Sequence, residues 1–370
     1  MEYTDRLLRD TVITVDLGAL AHNLRTIRAL VGPDVAIMAV VKANAYGHGA
    51  AAVAPVFLEN GVTYLAVATL TEALDLKAAC PEAPIFILGQ TPARLMDIVA
   101  SEGFTQAVTG LEEAKALSEA ACALGRRAKV HLKFDTGLVR LGMRDLAEAL
   151  EIAKLPGLEI EGAFSHLALA GAESDRAQFE KFLAFTDGLT AAGVPLRYRH
   201  IADSVATVDV PAYRLNMVRP GSLCYGLHSW DSDAEVDVRQ VLRFETKVSA
   251  VHTVEAGEGA SYEHRWRAKR PSLIATLPFG YCDGYPRRLY EQGYVTIKGV
   301  RCPFAGLIGM DQCMVDATDV PDLAPGDPVV IYGLGDGDGM SLQEAADLCK
   351  TFKNDIIARL MARPPRVYVR

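Results

Sequence analysis

The sequence predicts a (β/α)8 barrel followed by a mainly β domain, on three observations. Eight short β-branched or apolar runs recur between residues 35 and 219, Ala/Leu/Glu-rich segments with helical spacing separate most of them, and after about residue 235 the text turns to short strands split by Gly, Pro and Asp. Repeated βα units imply parallel strands joined by right-handed crossovers. Eight such units in roughly 200 residues point to a closed barrel.

The runs are Val35–Val41, Tyr64–Ala68, Ile85–Leu88, Gln106–Val108, Val130–Phe134, Leu158–Phe164, Tyr198–Ile201 and Met217–Arg219. The helical segments between them include "LTEALDLKAAC", "LEEAKALSEAACALG" and "DRAQFEKFLAFTDGLTAAG", with Gly103, Gly125, Pro156, Gly193 and Pro195 at the joints. An open doubly wound sheet is the competing topology, and it would want a Gly-rich first βα turn. Here the first strand leads into "KANAYGHG", not G-x-G-x-x-G. The acidic, turn-like "SWDSDAEVD" is the expected boundary, giving a barrel over residues 1–234 and a second domain over 235–370. In the second part "VLRFETKVSAVHTVEAGE", "SLIATLPFG", "GYVTIKGVRCPFAGLIG", "CMVDAT" and "DPVVIYGLGDGDG" read as strands, and Ser341–Lys350 as one helix before the tail.

Of 370 residues, 50% are hydrophobic and 23% charged, which suits a large core and not a disordered chain. A net charge of -8 argues against a general attraction to nucleic acid or anionic lipid. The seven cysteines are odd in number and form no C-x-x-C pair, as expected of reduced thiols in the cytoplasm. The opening "MEYTDRLLRDTVITVDL" is charged throughout, so neither a leader peptide nor a spanning helix is expected there.

In such a barrel the working residues sit at the C-terminal ends of the strands. Lys42 ends the first; Lys133, Asp135 and Arg140 follow the fifth; His166 ends the sixth; Asp203 and Ser204 end the seventh; Arg219 ends the eighth, ahead of Pro220, Gly221 and Ser222. A cation, hydroxyls and loop N–H groups after the last two strands match the usual phosphate site of these barrels. A buried ammonium is costly unless paired, neutralised or chemically used. Lys42 is thus a phosphate-binding cation, the amine of a Schiff base, or a lysine snorkelling to the surface. The residues alone reach as far as a phosphate-bearing ligand in a barrel mouth.

"AVVKANAYGHG", "LKFDTGLVRLGM", "FSHLALA", "HIADS", "NMVRPGSLCYG", "ASYEHRW", "TLPFGYCDGYPRRL", "GMDQCMVD" and the tail "ARPPRVY" occur in this order. Together they resemble the alanine racemases, fold-type III pyridoxal-phosphate enzymes, over essentially the whole chain. The resemblance implies that Lys42 carries pyridoxal 5'-phosphate and serves as one base, with Tyr262 as the other on the opposite face of Cα. Racemisation needs two such bases. Tyrosine is too weak a base at its ordinary pKa, and a chain from Arg219 through His166 to Tyr262 is the implied remedy. A satisfied buried histidine is the competing reading of His166. Arg219 would also contact the ring nitrogen and, having no proton to give, leave it unprotonated. Tyr46, Ser204, Gly221 and Ser222 would hold the phosphate. Arg140 would orient the cofactor hydroxyl and the substrate carboxylate. Lys133 aligns with a lysine that is often carbamylated; a plain lysine with a bound anion is the alternative. Tyr281, Met310 and Asp311, like Tyr262, would reach the site of the other subunit in a head-to-tail homodimer.

The chain departs from the family's pattern at several positions. Asn354 stands where a tyrosine is usual, as in the serine-racemase branch associated with vancomycin resistance, so turnover of serine beside alanine is expected. Asp203 replaces an asparagine, where a carboxylate beside a phosphate is unfavourable unless turned away. Gly171, Leu307 and Gly309 replace polar or larger residues of the entry region, and Glu263 replaces a common glycine. Four other functions stand against an alanine racemase. A dedicated serine racemase shares every motif. A basic amino-acid decarboxylase of the same fold would show "H-x-G-S" and "E-P-G-R", and neither occurs. A single-barrel cofactor carrier would lack the second domain. A metal-dependent barrel would want more His, Asp and Glu at strand ends than His166 and Asp203 supply.

Overall fold

The computed structural model describes residues 7–227, 234–335, 337–360 and 362–370. The chain forms two compact units. One holds Leu20–Ala45 and Ala50–Arg239; the other holds the segment ending at Ala19, Tyr46–Gly49 and Gln240–Arg370. The expected boundary stretch "SWDSDAEVD" falls partly outside the described residues.

Strand β1 (Val12–Asp16) precedes the barrel. The barrel strands are β2 (Ala36–Val40), β3 (Tyr64–Val67), β4 (Ile85–Ile87), β5 (Thr105–Val108), β6 (Ala128–Lys133), β7 (Leu158–Phe164), β8 (Tyr198–His200) and β9 (Met217–Val218). They pair in parallel in chain order from β2 to β8, with β9 beside β2. The Arg219 N–H donates to Ala202 O at 2.9 Å where β9 meets the end of β8, so the ring is nearly closed. All eight predicted runs are strands. Runs such as "AIMAV" are buried along almost their whole length, as in sheets covered on both faces. The barrel interior is aromatic and polar as well as aliphatic: Phe86, His131, Phe164 and His200 are all buried there, and the Phe164 and His200 rings stack at 5.0 Å. One irregularity breaks the ladder. Val130 pairs with Ile160 and His131 with Gly162, leaving Glu161 as the extra residue of a bulge in β7.

In the other unit β10 (Leu242–Lys247), β11 (Ala250–Val254), β12 (Gly259–Ala260), β13 (Trp266–Arg267), β14 (Ser272–Leu277), β15 (Tyr294–Ile297), β16 (Val300–Pro303), β17 (Cys313–Asp316), β18 (Pro328–Tyr332) and β19 (Arg366–Val369) follow. They form a six-stranded sheet in the order β16-β15-β18-β10-β1-β19, a three-stranded sheet β11-β14-β17 and a β12-β13 ribbon. The mainly β character expected of this part is present. The N-terminal segment, expected with the barrel, differs: β1 pairs antiparallel with β10 and parallel with β19. The cause is its alternation, since Ile13 and Val15 point to one face and are fully buried there. A second short helix, Lys353–Ala358, follows the expected one, which spans Leu342–Cys349. Among the described residues no helix is long and apolar enough to cross a membrane.

Candidate active site

Lys42 stands directly after β2. The residues behind it turn the wrong way for L-amino acids: Ala43, Asn44 and Ala45 have φ of 52, 53 and 55° with ψ of 48, 49 and 50°, and Tyr46 has φ 53°. A left-handed turn costs about 1–2 kcal/mol per residue because Cβ crowds the following carbonyl. Hydrogen bonds hold it. The Ala45 N–H donates to Val41 O (2.8 Å), the Ala50 N–H to Asn44 Oδ1 (2.8 Å), and the Ala43 N–H to Glu72 Oε1 (2.7 Å). The second oxygen of Glu72 accepts from the Ala68 N–H at 2.8 Å. Glu72 is also the counter-charge of Lys42. Burial lowers the pKa of that amine, the neighbouring Arg140 charge lowers it further, and Glu72 opposes both. Lys42 therefore holds more neutral amine than a free lysine, which is what a nucleophile or base requires.

The other cations of the same unit gather around it. Lys133, last residue of β6, is buried with its Nζ 4.6 Å from the centre of the Phe164 ring. Burial, then the charges of Arg219 and Arg140, drive its pKa well down; Asp135 alone opposes them. Asp135 is itself committed to Arg144 (2.6 and 2.8 Å) and to the N–H groups of Gly137 and Val139. His166 is pushed down to about 2 by burial and then by Arg219, Lys133, Arg140 and Lys42, so its ring is neutral. Its Nδ1 accepts from Arg219 Nη2 at 3.4 Å, which places the ring proton on Nε2. Arg219 is buried, and burial lowers its pKa to about 10. Its Nη2 donates to Ser165 O (2.7 Å) and Ile201 O (3.2 Å), and its Nη1 to His200 Nδ1 (2.9 Å). Arg140 is exposed. Five cationic or donor side chains thus act on one another here, an arrangement suited to a ligand with more than one negative charge.

The hydroxyl of Ser204 accepts from the Gly221 N–H (2.9 Å) and the Leu223 N–H (3.3 Å), drawing the loop after β9 against the end of β8. Its own proton remains to be donated. Ser222 opens a one-turn 3-10 helix, Ser222–Tyr225, so its N–H lies among the donors that a helix leaves without an internal partner. Asp203 turns away from this loop: its carboxylate caps the helix Ser204–Asp209, accepting from the Ala206 N–H at 3.0 Å.

In the second unit Tyr262, Met310 and Tyr281 are 66%, 51% and 38% exposed. Three turns adjoin there: the Tyr281 N–H donates to Gly309 O (3.1 Å), the Cys282 N–H to Met310 O (3.1 Å), and the Ser261 hydroxyl to Leu307 O (2.7 Å). The backbone around Tyr262 is as unusual as that after Lys42. Ser261 has φ 62° with ψ -177°, a region almost confined to glycine, and Glu263 and His264 have φ 60° and 45°. Glu263, which stands where glycine is common, lies in this strained stretch. Its backbone is left-handed, where glycine fits without strain, and a 2.7 Å ion pair ties the glutamate to Arg265. Asp311 is held by Arg363 at 2.7 Å, Asn354 lies half-buried in the helix Lys353–Ala358, and Leu307 is buried in its own unit. Tyr46 belongs to this unit as well.

Sequence reasoning missed Glu72, hidden in a helix pattern, and the buried His131, Glu161 and His200. Polar residues inside otherwise apolar strands, as in "VHLK" and "IEGAF", were the available signal.

Residues 15–229 match the family described as Alanine racemase, N-terminal domain, and residues 241–368 match Alanine racemase, C-terminal domain. The chain is 40% identical over 374 residues to an alanine racemase of Desulfosudis oleivorans, covering 96% of this chain and 95% of that protein. It is 39% identical over 375 residues to one of Clostridium tetani, covering 98% and 96%. Among solved structures, an alanine racemase of Clostridium difficile 630 superposes with a TM-score of 0.93 at 33% identity, covering 98% of this chain and 97% of that one. That of a D-cycloserine-producing Streptomyces lavendulae gives 0.92 at 34% identity, covering 99% and 98%. With both family domains matched across almost the whole length, the chain belongs to the alanine racemase family.

Proposed function

We propose that this chain interconverts L- and D-alanine and also accepts serine, as a homodimer in which Tyr262 of the partner subunit faces Lys42. The observation that carries the reading is the set Lys42, Lys133, Arg140, His166 and Arg219, which act on one another at one barrel end, where burial and then the Arg140 charge hold the Lys42 amine below its ordinary pKa.

The enzymes of this family use pyridoxal 5'-phosphate, and the residues present fit it. A primary amine enriched in its neutral form suits the aldehyde. The Ser204 hydroxyl and the Ser222 N–H suit the phosphate, with Tyr46 as a further candidate, while the Gly221 N–H donates to Ser204 and holds its hydroxyl in place. Arg219 offers a donor to the ring nitrogen. When bound, the group withdraws electrons from the substrate Cα and acidifies its proton. The protein's own residues do the rest. Lys42 takes or gives that proton on one face, and Tyr262 does so on the other. Arg140 holds the substrate carboxylate. His166, with its proton on Nε2, would donate to the oxygen of the partner subunit's Tyr262 and support it as a base. Arg219 keeps the ring nitrogen bare, because a guanidinium does not release its proton.

The exposure of Tyr262, Tyr281 and Met310 supports a shared site, since such side chains gain a function when a second subunit covers them. Burial and the Arg219 and Arg140 charges favour the neutral amine of Lys133, the form that combines with carbon dioxide, and a carbamate there would give Arg140 an anionic neighbour. Asn354 supports serine turnover: it is smaller than tyrosine and offers an amide to a substrate hydroxyl.

The test is α-proton exchange and racemisation of alanine and serine with pyridoxal phosphate present, repeated with Asn354→Tyr. Exchange on both amino acids, with serine selectively lost in the variant, supports the reading. An unchanged serine-to-alanine ratio in the variant removes the role of Asn354. No exchange on either substrate, with the cofactor still bound to Lys42, refutes the assigned reaction.

A further inference from the structure

Arg219 is buried with a full positive charge, yet among the described residues no carboxylate lies within ion-pair distance of it. Asp203 acts on it through space while capping a helix through the Ala206 N–H. A buried charge also needs its donors satisfied, and the acceptors here are the Ser165 and Ile201 carbonyls and the imidazoles of His166 and His200.

From His200 a hydrogen-bonded line runs to a buried carboxylate three side chains from Arg219, inside the barrel. Arg219 Nη1 is 2.9 Å from His200 Nδ1, His200 Nε2 is 2.7 Å from His131 Nδ1, and His131 Nε2 is 3.1 Å from Glu161 Oε2. His131 and His200 are fully buried and Glu161 nearly so. Only one placement of protons satisfies this line. Arginine has no lone pair to offer, so His200 Nδ1 accepts and its proton sits on Nε2. That proton is donated to His131 Nδ1, so the proton of His131 also sits on Nε2 and goes to Glu161. Both rings are neutral, and burial depresses the pKa of both. Glu161 is ionised: it accepts from His131 and from the Tyr64 hydroxyl (2.5 Å), with Lys129 at 3.3 Å and Arg197 at 3.8 Å. Tyr198 and Phe86 also face His131, and Phe164 and Phe86 face His200; none carries charge.

The backbone is built for this line. The β7 bulge inserts Glu161 as an unpaired residue, the device by which a strand re-aims a side chain. The residue after it is Gly162, where a Cβ would come within 3.0 Å of two atoms of the His131 ring and 2.7 Å of Tyr198 O.

We propose that Glu161 is a positioning residue for Arg219, acting through His131 and His200. Its carboxylate fixes both ring protons, so that His200 shows Arg219 a bare lone pair and the guanidinium is held by Nη1 from behind. The catalytic consequence rests on the proposed role of Arg219 as the ring-nitrogen contact; the geometry of the line does not. A carboxylate kept at this distance has a specific value there: beside Arg219 it would compete for the donors that face the ring, whereas a neutral imidazole takes only Nη1.

The first measurement is the tautomer of the buried histidines in the cofactor-free protein, read from long-range 1H–15N spectra of 15N-histidine-labelled chain between pH 6 and 8. Two non-titrating rings protonated on Nε2 are expected; a proton on Nδ1 of His200, or titration of either ring, overturns the proposal without any variant. The second is Glu161→Gln. The amide keeps the volume but has one acceptor oxygen for three donors, and its NH2 turned to His131 reverses every proton in the line and sets two donors face to face at Arg219. A changed His200 signal, weaker pyridoxal phosphate binding and a kcat lower by roughly tenfold, with KM for alanine little changed, support it. Partial recovery with Glu161→Asp, and wild-type values for Lys129→Met, also support it. A folded Glu161→Gln protein with unaltered ring signals, or with wild-type kcat and cofactor affinity and only a lower Tm, overturns it. A wild-type protein that shows the expected tautomers but racemises nothing refutes the reaction and leaves the relay standing.

Discussion

Replacing Glu72 by Gln tests how Lys42 is presented. In the structure the two carboxylate oxygens accept from the Ala43 and Ala68 N–H groups at 2.7 and 2.8 Å, and the charge raises the pKa of Lys42 against burial and Arg140. Glutamine has one acceptor oxygen, so one of the two N–H groups would face an NH2. Leaving a buried donor unsatisfied costs about 1–3 kcal/mol; Ala43 is exposed, which places the loss near the lower end, about 1 kcal/mol. The expected fall in Tm is a few degrees at most. The amine responds in a definite direction: without the neighbouring anion its pKa drops further. The assay is the pH dependence of pyridoxal condensation with Lys42 in the cofactor-free protein. The midpoint should move to lower pH in the variant. Ala43→Gly, which relieves about 1 kcal/mol of left-handed strain, should recover part of the lost Tm but none of the shifted midpoint. A midpoint that stays in place or rises refutes the electrostatic role of Glu72, and a second-site glycine that restores nothing refutes the clamp on the turn.

Three further outcomes follow from the geometry. Glu263→Gly should raise stability by up to about 1 kcal/mol, because φ of 60° suits glycine and the Arg265 pair it loses is exposed and weak; a lower Tm contradicts the strain at this site. Stability should fall as pH drops below about 6.5, the unfolded value of histidine. His131, His166 and His200 all have depressed folded pKa values. The unfolded chain therefore takes up protons that the folded chain refuses, and the slope approaches about 4 kcal/mol per pH unit when all three contribute; urea unfolding at pH 5 and 7 measures it. Asp203→Asn should leave Tm nearly unchanged, because asparagine caps a helix as well as aspartate does. It should tighten pyridoxal phosphate binding by removing a negative charge near the Ser204 loop; weaker binding contradicts that charge effect.

The strand ends were legible because a parallel strand announces itself as a short apolar run and its end as the first reactive side chain. Lys42, Lys133, His166 and Arg219 could all be read that way, and the structure gathers them. Glu161 could not. In a regular strand a polar residue next to Gly162 reads as turned outward; only the bulge, which depends on pairing with a distant strand, turns it inward. Glu72 was hidden for a different reason: it sits in the first turn of the helix Leu70–Ala79, where an acidic residue is already explained by the helix dipole and by the Thr69 cap. The placement of β1 was hidden too, since an alternating five-residue strand carries no mark of which sheet it joins.

The two residues read here as bases share a feature that no composition would suggest. Lys42 is followed by four L-residues in the left-handed region, and Tyr262 is flanked by Ser261, Glu263 and His264 with positive φ. Glycine would meet both backbones without strain, so the strain calls for a reason. Glycine visits both hands of the Ramachandran map almost equally, and its freedom would pass directly to the neighbouring side chain. An L-residue in the left-handed well has few other places to go once hydrogen bonds hold it there, as Glu72, Val41 and Asn44 hold the first turn and the Ser261 hydroxyl on Leu307 holds the second. The chain thus gives up about 1–2 kcal/mol per position and gains a fixed direction for the two side chains proposed to meet opposite faces of one carbon. A base misplaced by an ångström loses far more in rate than that strain costs in stability. Strain at these two turns is therefore the arrangement that a two-base reaction favours, and relieving it at both should give a more stable protein and a slower racemase.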